Sequence, residues 1–336
     1  MKTHPWFYRM SLITTVLTFA LVVLGAWVRL TDAGLGCPDW PGCYGQWDVP
    51  NTPAAIERAN EAFPDTPVHV GKGWREMVHR YLAGIVGPLI YGLAFFAWRQ
   101  RKRPGQPWKV PLFLAGLVTF QAILGAWTVT WQLKPAVVTA HLLGGLTTLS
   151  LLWWLTLRCN YLGGSGRLFA QRGLGAMLAA GIVVAIAQIT LGGWTSTNYA
   201  ALACNEFPTC SLGEYWPDRA DFGEGFVLWR GLGVNYEFGV LDHPARMAIH
   251  LVHRAGAIVA ALVLGALAWW LWRAGGIGRG LGIALGGALA LQILIGIGNV
   301  IYNLPLALAV AHNAGAALLA LVLVTIIHVR RPLAAS

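Results

Sequence analysis

The chain has 336 residues, of which 56% are apolar and only 11% charged, against roughly 25% charged in a soluble globular domain. That composition excludes a soluble protein and puts the chain in a lipid bilayer. The net charge of +10 does not imply nucleic acid, because no basic patch is interleaved with aromatics.

Eight apolar stretches are long enough to cross a hydrocarbon core of ~30 Å. They are predicted at 11–30, 77–97, 111–131, 137–157, 174–196, 247–270, 281–301 and 306–327. The first lacks a small-residue cleavage site and reads as a retained helix. It contains Leu24-Gly25-Ala26-Trp27 and leads into a loop with Cys37 and Cys43, in GLGCPDWPGC. The second stretch opens on Glu76-x-x-His79-Arg80. A basic run (Arg99, Arg101, Lys102, Arg103, Lys109) precedes the third, which holds Gln121-x-x-Leu-Gly-Ala-Trp127. Pro135 then precedes His141 near the head of the fourth. The same order recurs after a basic connector at 158–173: Leu191-Gly192-Gly193-Trp194, then Cys204 and Cys210 in ALACNEFPTC, then His250-x-x-His253-Arg254. Gln292-x-x-Ile-Gly-Ile-Gly298 and Pro305 before His312 complete the second half.

Charge supplies a topology. All 14 acidic residues lie in or at the edge of two segments, Asp32–Glu76 and Glu206–Asp242. The other side carries Lys2, Arg9, the basic run, Arg158, Arg167, Arg172, Arg273, Arg279, Arg330 and Arg331. The positive-inside rule puts both termini in the cytoplasm and the cysteine loops outside. Each half holds an even number of spans, so both halves enter from one side as a parallel repeat. The expected fold is an all-α integral membrane protein, with eight transmembrane helices arranged as two tandem pseudo-symmetric four-helix bundles. Residues 1–157 form the first bundle, 158–173 a cytoplasmic connector and 174–336 the second.

Four histidines fall in register, His79 with His141 and His253 with His312, all near the outer ends of their spans. An intramembrane histidine is costly without a partner. Two imidazoles on separate helices suit the two faces of a haem, whereas zinc wants three or four close ligands. Glu76 shares a helix face with His79, three residues away. The second half has His250 there, so the repeat breaks at the position able to do acid–base work. Alternatively, Glu76 is an edge charge paired with Arg75 or Arg80. Arg80 and Arg254 are candidate partners for haem propionates, or snorkel to headgroups. Each cysteine pair in an oxidising space reads as a disulfide, with a metal pair or a redox-active thiol pair as alternatives; Cys159 is left over. His69 and His243 read as loop residues, His4 and His328 as cytoplasmic. Trp6, Trp98, Trp108 and Trp272 read as interfacial; Trp27, Trp127 and Trp194 as cavity-lining.

Across essentially its whole length, through these helices, histidines, Glu76-x-x-His79-Arg80 and GLGCPDWPGC, the chain resembles the haem A synthases of cytochrome oxidase assembly. The resemblance implies oxidation of the C8 methyl of haem O to a formyl group, through the hydroxymethyl haem I, giving haem A. It implies a haem b cofactor on His253 and His312, substrate haem O on His79 and His141, and an essential Glu76. Cys37 and Cys43 are linked to activity in members that have them; a pair like Cys204 and Cys210 occurs in some members only. It further implies a bacterial inner membrane location with both haem sites towards the outer face. The implied partners are haem O synthase, cytochrome oxidase assembly factors and an unidentified electron-transfer protein, with a homo-oligomer left open. Two rival readings use the same histidines: a di-haem b electron-transfer protein, and a haem O carrier or assembly scaffold.

Overall fold

The computed structural model describes residues 5–159 and 173–330. Connector residues 160–172, and with them Arg167 and Arg172, lie outside the described residues, as do Lys2, His4 and Arg331. In chain order the helices are α1 (Pro5–Leu30), α2 (Pro53–Ala62), α3 (Val70–Arg99), α4 (Lys109–Thr130), α5 (Pro135–Cys159), α6 (Leu174–Thr197), α7 (Phe222–Gly225), α8 (His243–Arg273), α9 (Gly276–Ile301) and α10 (Leu306–Arg330). All but α2 and α7 are long and apolar enough to cross a membrane, eight in number among the described residues. The two short helices, absent from the sequence expectation, sit inside the long loops.

Six spans begin earlier than hydropathy indicates, and in two of them a polar cap sets the start. His69 caps α3, its side chain accepting the Lys72 N–H. Asp242 caps α8 by accepting from Ala245 N–H, with a proline in the first turn. Caps and prolines start helices whether or not the first turn is apolar. His243 therefore belongs to α8 rather than to a loop. Glu76 likewise lies within α3 and is 5% exposed, not at a helix edge.

Helices α1, α3, α4 and α5 contact one another around a ring, and α6, α8, α9 and α10 do the same. The two sets meet through α1–α10, α5–α10 and α5–α6. Each set is packed at the end away from the cysteine loops. Phe7, Ile90, Leu114, Leu152 and Leu155 fill the first core, and Leu178, Leu264, Leu285 and Leu323 the second. Hydroxyls reinforce this end: Ser11 and Thr156 are 2.7 Å apart, and Trp153 Nε1 donates to Thr325 Oγ1 across the sets at 2.9 Å. Such bonds join helices where lipid gives no hydrophobic drive between them.

At the loop end the sets meet on corresponding residues. Arg29 donates to the Ser196 carbonyl at 2.6 Å, and Tyr199 donates to Asp32 Oδ1 at 3.2 Å. Counted from Leu24 and Leu191, 29 matches 196 and 32 matches 199. A position that touches its own counterpart marks a local two-fold axis. The second long loop also laps back over the first set: Tyr236 N–H donates to the Gln132 carbonyl at 3.0 Å, and Lys72 pairs with Glu237 at 3.0 Å.

Candidate functional site: a cavity with four seated histidines

Each of the four histidines rests its ring against a glycine of a neighbouring helix. A Cβ on Gly25 of α1 would fall 2.9 Å from His79 Cε1, and one on Gly125 of α4 would fall 3.5 Å from His141 Cε1. The matching distances are 3.3 Å from Gly192 to His253 and 3.1 Å from Gly296 to His312. These are the glycines of the repeated Leu/Ile-Gly motifs. Sequence reading aligned those motifs without seeing their job: at Gly25, Gly192 and Gly296 glycine lets the helix backbone approach an imidazole more closely than a Cβ comfortably allows, whereas the Gly125 distance is an ordinary contact.

His79 lies within electrostatic reach of His141, and His253 of His312. The Nδ1 atoms of His79, His141 and His312 are buried without a hydrogen-bond partner among the described residues. An unsatisfied buried polar atom costs about 1–3 kcal/mol. Among the described residues no three of His, Cys, Asp and Glu converge on one point, so a bare metal ion finds only paired imidazoles.

All four histidines line one cavity of about 1830 Å³ that runs between the two helix sets. Pockets for drug-sized ligands measure roughly 300–1,000 Å³; this space is larger and its lining mostly apolar. Trp27, Trp127 and Trp194, expected on the wall, are not part of it. The reason is helical phase: each stands two residues, roughly 200°, from the glycine that faces the histidine. Trp127 instead stacks on Trp131 with ring centres 4.7 Å apart, and Trp194 Nε1 donates to the Gly225 carbonyl.

Above each histidine pair sits a disulfide loop, Cys37–Cys43 in one half and Cys204–Cys210 in the other. The two loops are held alike. Cys37 N–H donates to Glu76 Oε2 at 2.9 Å, and Arg80 pairs with the same carboxylate. Arg80 also donates to the carbonyls of Asp39 (2.9 Å) and Gly42. In the second half Cys204 N–H meets His250 Nδ1 at 3.1 Å, and Arg254 Nε lies 3.3 Å from His250 Nε2. Arg254 donates onward to the carbonyls of Thr209, Cys204 and Glu206 at 2.8–3.0 Å. Glu76 and His250 thus latch equivalent loops, and Arg80 and Arg254 anchor them. The pairing of Glu76 with Arg80, one of the two sequence alternatives, is present. A carboxylate accepts both donors; a neutral imidazole has one acceptor nitrogen and satisfies one.

An acid two residues after the first cysteine closes each loop. Asp39 accepts from the N–H groups of Tyr44 (2.6 Å) and Gly45 (2.7 Å). Glu206 accepts from Leu212 (2.9 Å) and Gly213 (3.0 Å). The Thr209 hydroxyl, with these N–H groups, holds the Glu206 carboxyl below its ordinary value of 4.5. A lowered folded-state pKa adds stability that is complete above the unfolded value and is lost as pH falls through the folded one. We therefore expect the Leu212 and Gly213 amides to lose hydrogen-exchange protection as pH drops below about 4.5, relative to a Glu206→Gln variant that lacks this titration.

The glycine seats yield a second test. If His79 ligates a haem iron, Gly25→Ala should weaken binding of that haem roughly tenfold or more, as changes behind a metal ligand do. Gly116→Ala on α4, where a Cβ meets nothing within 4 Å, should leave it unchanged. Haem titration of the purified variants separates the two.

Residues 8–324 match the cytochrome oxidase assembly protein family, COX15-CtaA. Among similar proteins is a Heme A synthase of Shewanella oneidensis, 45% identical over 325 residues, covering 96% of this chain and 94% of the relative. A Heme A synthase of Caulobacter sp. (strain K31) is 31% identical over 345 residues, covering 95% of each. One from Rhizorhabdus wittichii is 28% identical over 329 residues.

Proposed function

The chain belongs to the cytochrome oxidase assembly protein family, and from that premise we propose that it oxidises haem O to haem A. The C8 methyl becomes a hydroxymethyl, a C–H bond giving way to a C–OH bond whose oxygen comes from dioxygen or water, and then a formyl group with loss of two hydrogens; each step removes two electrons from that carbon and passes them to dioxygen or to an external redox protein. In this reading His79 and His141 flank the iron of the substrate haem O. His253 and His312 hold a resident haem b, which when bound supplies one-electron transfer. Residues 1–157 are then the substrate bundle and 174–336 the cofactor bundle.

One observation carries the assignment. Both halves latch a disulfide loop, but only the first does it with a carboxylate. His250 demonstrates that the latch needs no acid, so Glu76 is retained for something the second half does not do. Placed one helical turn from His79 and lining the same cavity, Glu76 is in position to hold or move a proton, or to stabilise positive charge developing at the methyl carbon. Glycine seats fix the imidazoles, and the loops cover the cavity end where Glu76 lies, limiting water. Arg80 and Arg254 spend their donors on loop carbonyls; their positive charge is what a propionate would meet there.

The chain contains no flavin or nicotinamide motif, so electrons pass to or from a separate redox protein. Haem O synthase supplies the substrate, and assembly factors of cytochrome oxidase receive the product. Charge asymmetry supports a bacterial inner-membrane protein with cytoplasmic termini and the disulfide loops outside. Co-expression with a haem O synthase, followed by chromatography of the extracted haems, tests the function. Haem A together with haem b is the expected result. Haem b alone would indicate an electron-transfer protein, and unaltered haem O a carrier.

A further inference from the structure

Three of the four histidines share a module with two parts. A glutamine stands one turn before the glycine seat: Gln121 before Gly125, Gln188 before Gly192, Gln292 before Gly296. A second glycine stands three residues after the histidine: Gly144 after His141, Gly256 after His253, Gly315 after His312. The parts meet in space. A Cβ on Gly144 would fall 1.7 Å from Gln121 Nε2, one on Gly256 2.3 Å from Gln188 Oε1, and one on Gly315 2.3 Å from Gln292 Oε1. Each glutamine therefore enters a notch that only glycine leaves open. From that notch Gln188 Nε2 reaches the His253 carbonyl at 3.0 Å and His253 Nδ1 at 3.1 Å. Gln292 Nε2 donates to the His312 carbonyl at 2.8 Å but leaves His312 Nδ1 unbonded, and Gln121 Nε2 is buried beside His141 without a hydrogen-bond partner among the described residues. An amide offers both a donor and an acceptor, so it can serve Nδ1 with or without its proton.

His79 has neither part. Leu21 occupies the glutamine position before Gly25, and Leu82 the glycine position after the histidine. Both halves of the module are lost together, at one histidine only.

We propose that Gln188 and Gln292 are positioning residues that clamp His253 and His312, and that the first-half pair, with Gln121 Nε2 unbonded beside His141 and no module at His79, is the pair that releases haem, His79 being the ligand that lets go first. This rests on the assignment of His253 to a resident haem and His79 to the substrate. Groups behind a metal-bound imidazole fix its orientation and basicity, and their loss typically costs 10–100-fold in affinity. A resident cofactor requires that clamp on both faces. A substrate that must depart as product requires one face to let go.

The test exchanges the modules. Gln188→Leu installs the residue found in the first half, while Leu21→Gln with Leu82→Gly installs the clamp at His79. Haem release from purified protein is followed by capture in excess apomyoglobin, and the ferric low-spin electron paramagnetic resonance signal is recorded. Gln188→Leu should speed release of the resident haem roughly 10–100-fold and shift its g-values. Leu21→Gln/Leu82→Gly should slow release from the first site by a similar factor. Unchanged release and g-values in Gln188→Leu, with His253→Ala losing that haem, would overturn the clamp while leaving the site assignment intact. Retention of the low-spin haem in His253→Ala would overturn the assignment itself, and the clamp with it. Should Gln188→Leu not fold, unaltered release in the first-site variant alone counts against the proposal.

Discussion

Replacing Glu76 with histidine should leave the chain folded and its first loop seated, yet stop haem A formation. The second half already contains this arrangement: His250 takes the Cys204 N–H and neighbours Arg254. The variant therefore keeps a latch and removes the carboxylate. A positioned acid–base group contributes about 10²–10⁴ in rate, so conversion of haem O should fall by at least that factor. Glu76→Ala should behave differently. It strips the acceptor from the Cys37 N–H and leaves Arg80, whose side chain is 11% exposed, without its partner. Breaking a buried ion pair from one side costs about 3–5 kcal/mol, so this variant should also lose thermal stability. Chromatography of extracted haems and thermal unfolding in detergent read the two effects separately. Normal haem A output from Glu76→His would reduce Glu76 to a loop latch.

The second large effect concerns the histidines. His79→Ala and His141→Ala should each abolish haem A formation while haem b stays bound, because His79 and His141 lie on α3 and α5 of one helix set and His253 and His312 on α8 and α10 of the other. His253→Ala and His312→Ala should instead lose the resident haem. These losses should be close to complete, since a bis-imidazole site with one ligand removed no longer holds iron from both faces. Loss of all haem from every one of the four variants would mean that the cavity works as a single site.

Much of this organisation was legible in the sequence because lipid imposes simple rules. Eight apolar runs, their basic and acidic flanks, and a repeat in register were enough to anticipate eight long helices with two histidine pairs. The cysteine pairs were legible from their spacing and their compartment. What hydropathy cannot see is polar: the caps at His69 and Asp242 lengthen α3 and α8, and so carry Glu76 inside a helix. Helical phase was also missed for Trp27, Trp127 and Trp194, which a 100° step per residue turns away from the glycine-lined wall. The glycine seats and the glutamine clamp were present as repeated letters, but letters do not show which backbone lies against which ring. The equivalence of Glu76 and His250 as latches required coordinates, because a carboxylate and an imidazole share no sequence signal.

That equivalence sharpens the central claim, which is that two similar sites do unequal work. The most direct measurement is the haem inventory of His79→Ala purified after co-expression with a haem O synthase. We expect one haem b per chain and neither haem O nor haem A. Haem O retained in this variant, or haem b lost with it, would contradict the assignment of substrate to the first pair and cofactor to the second.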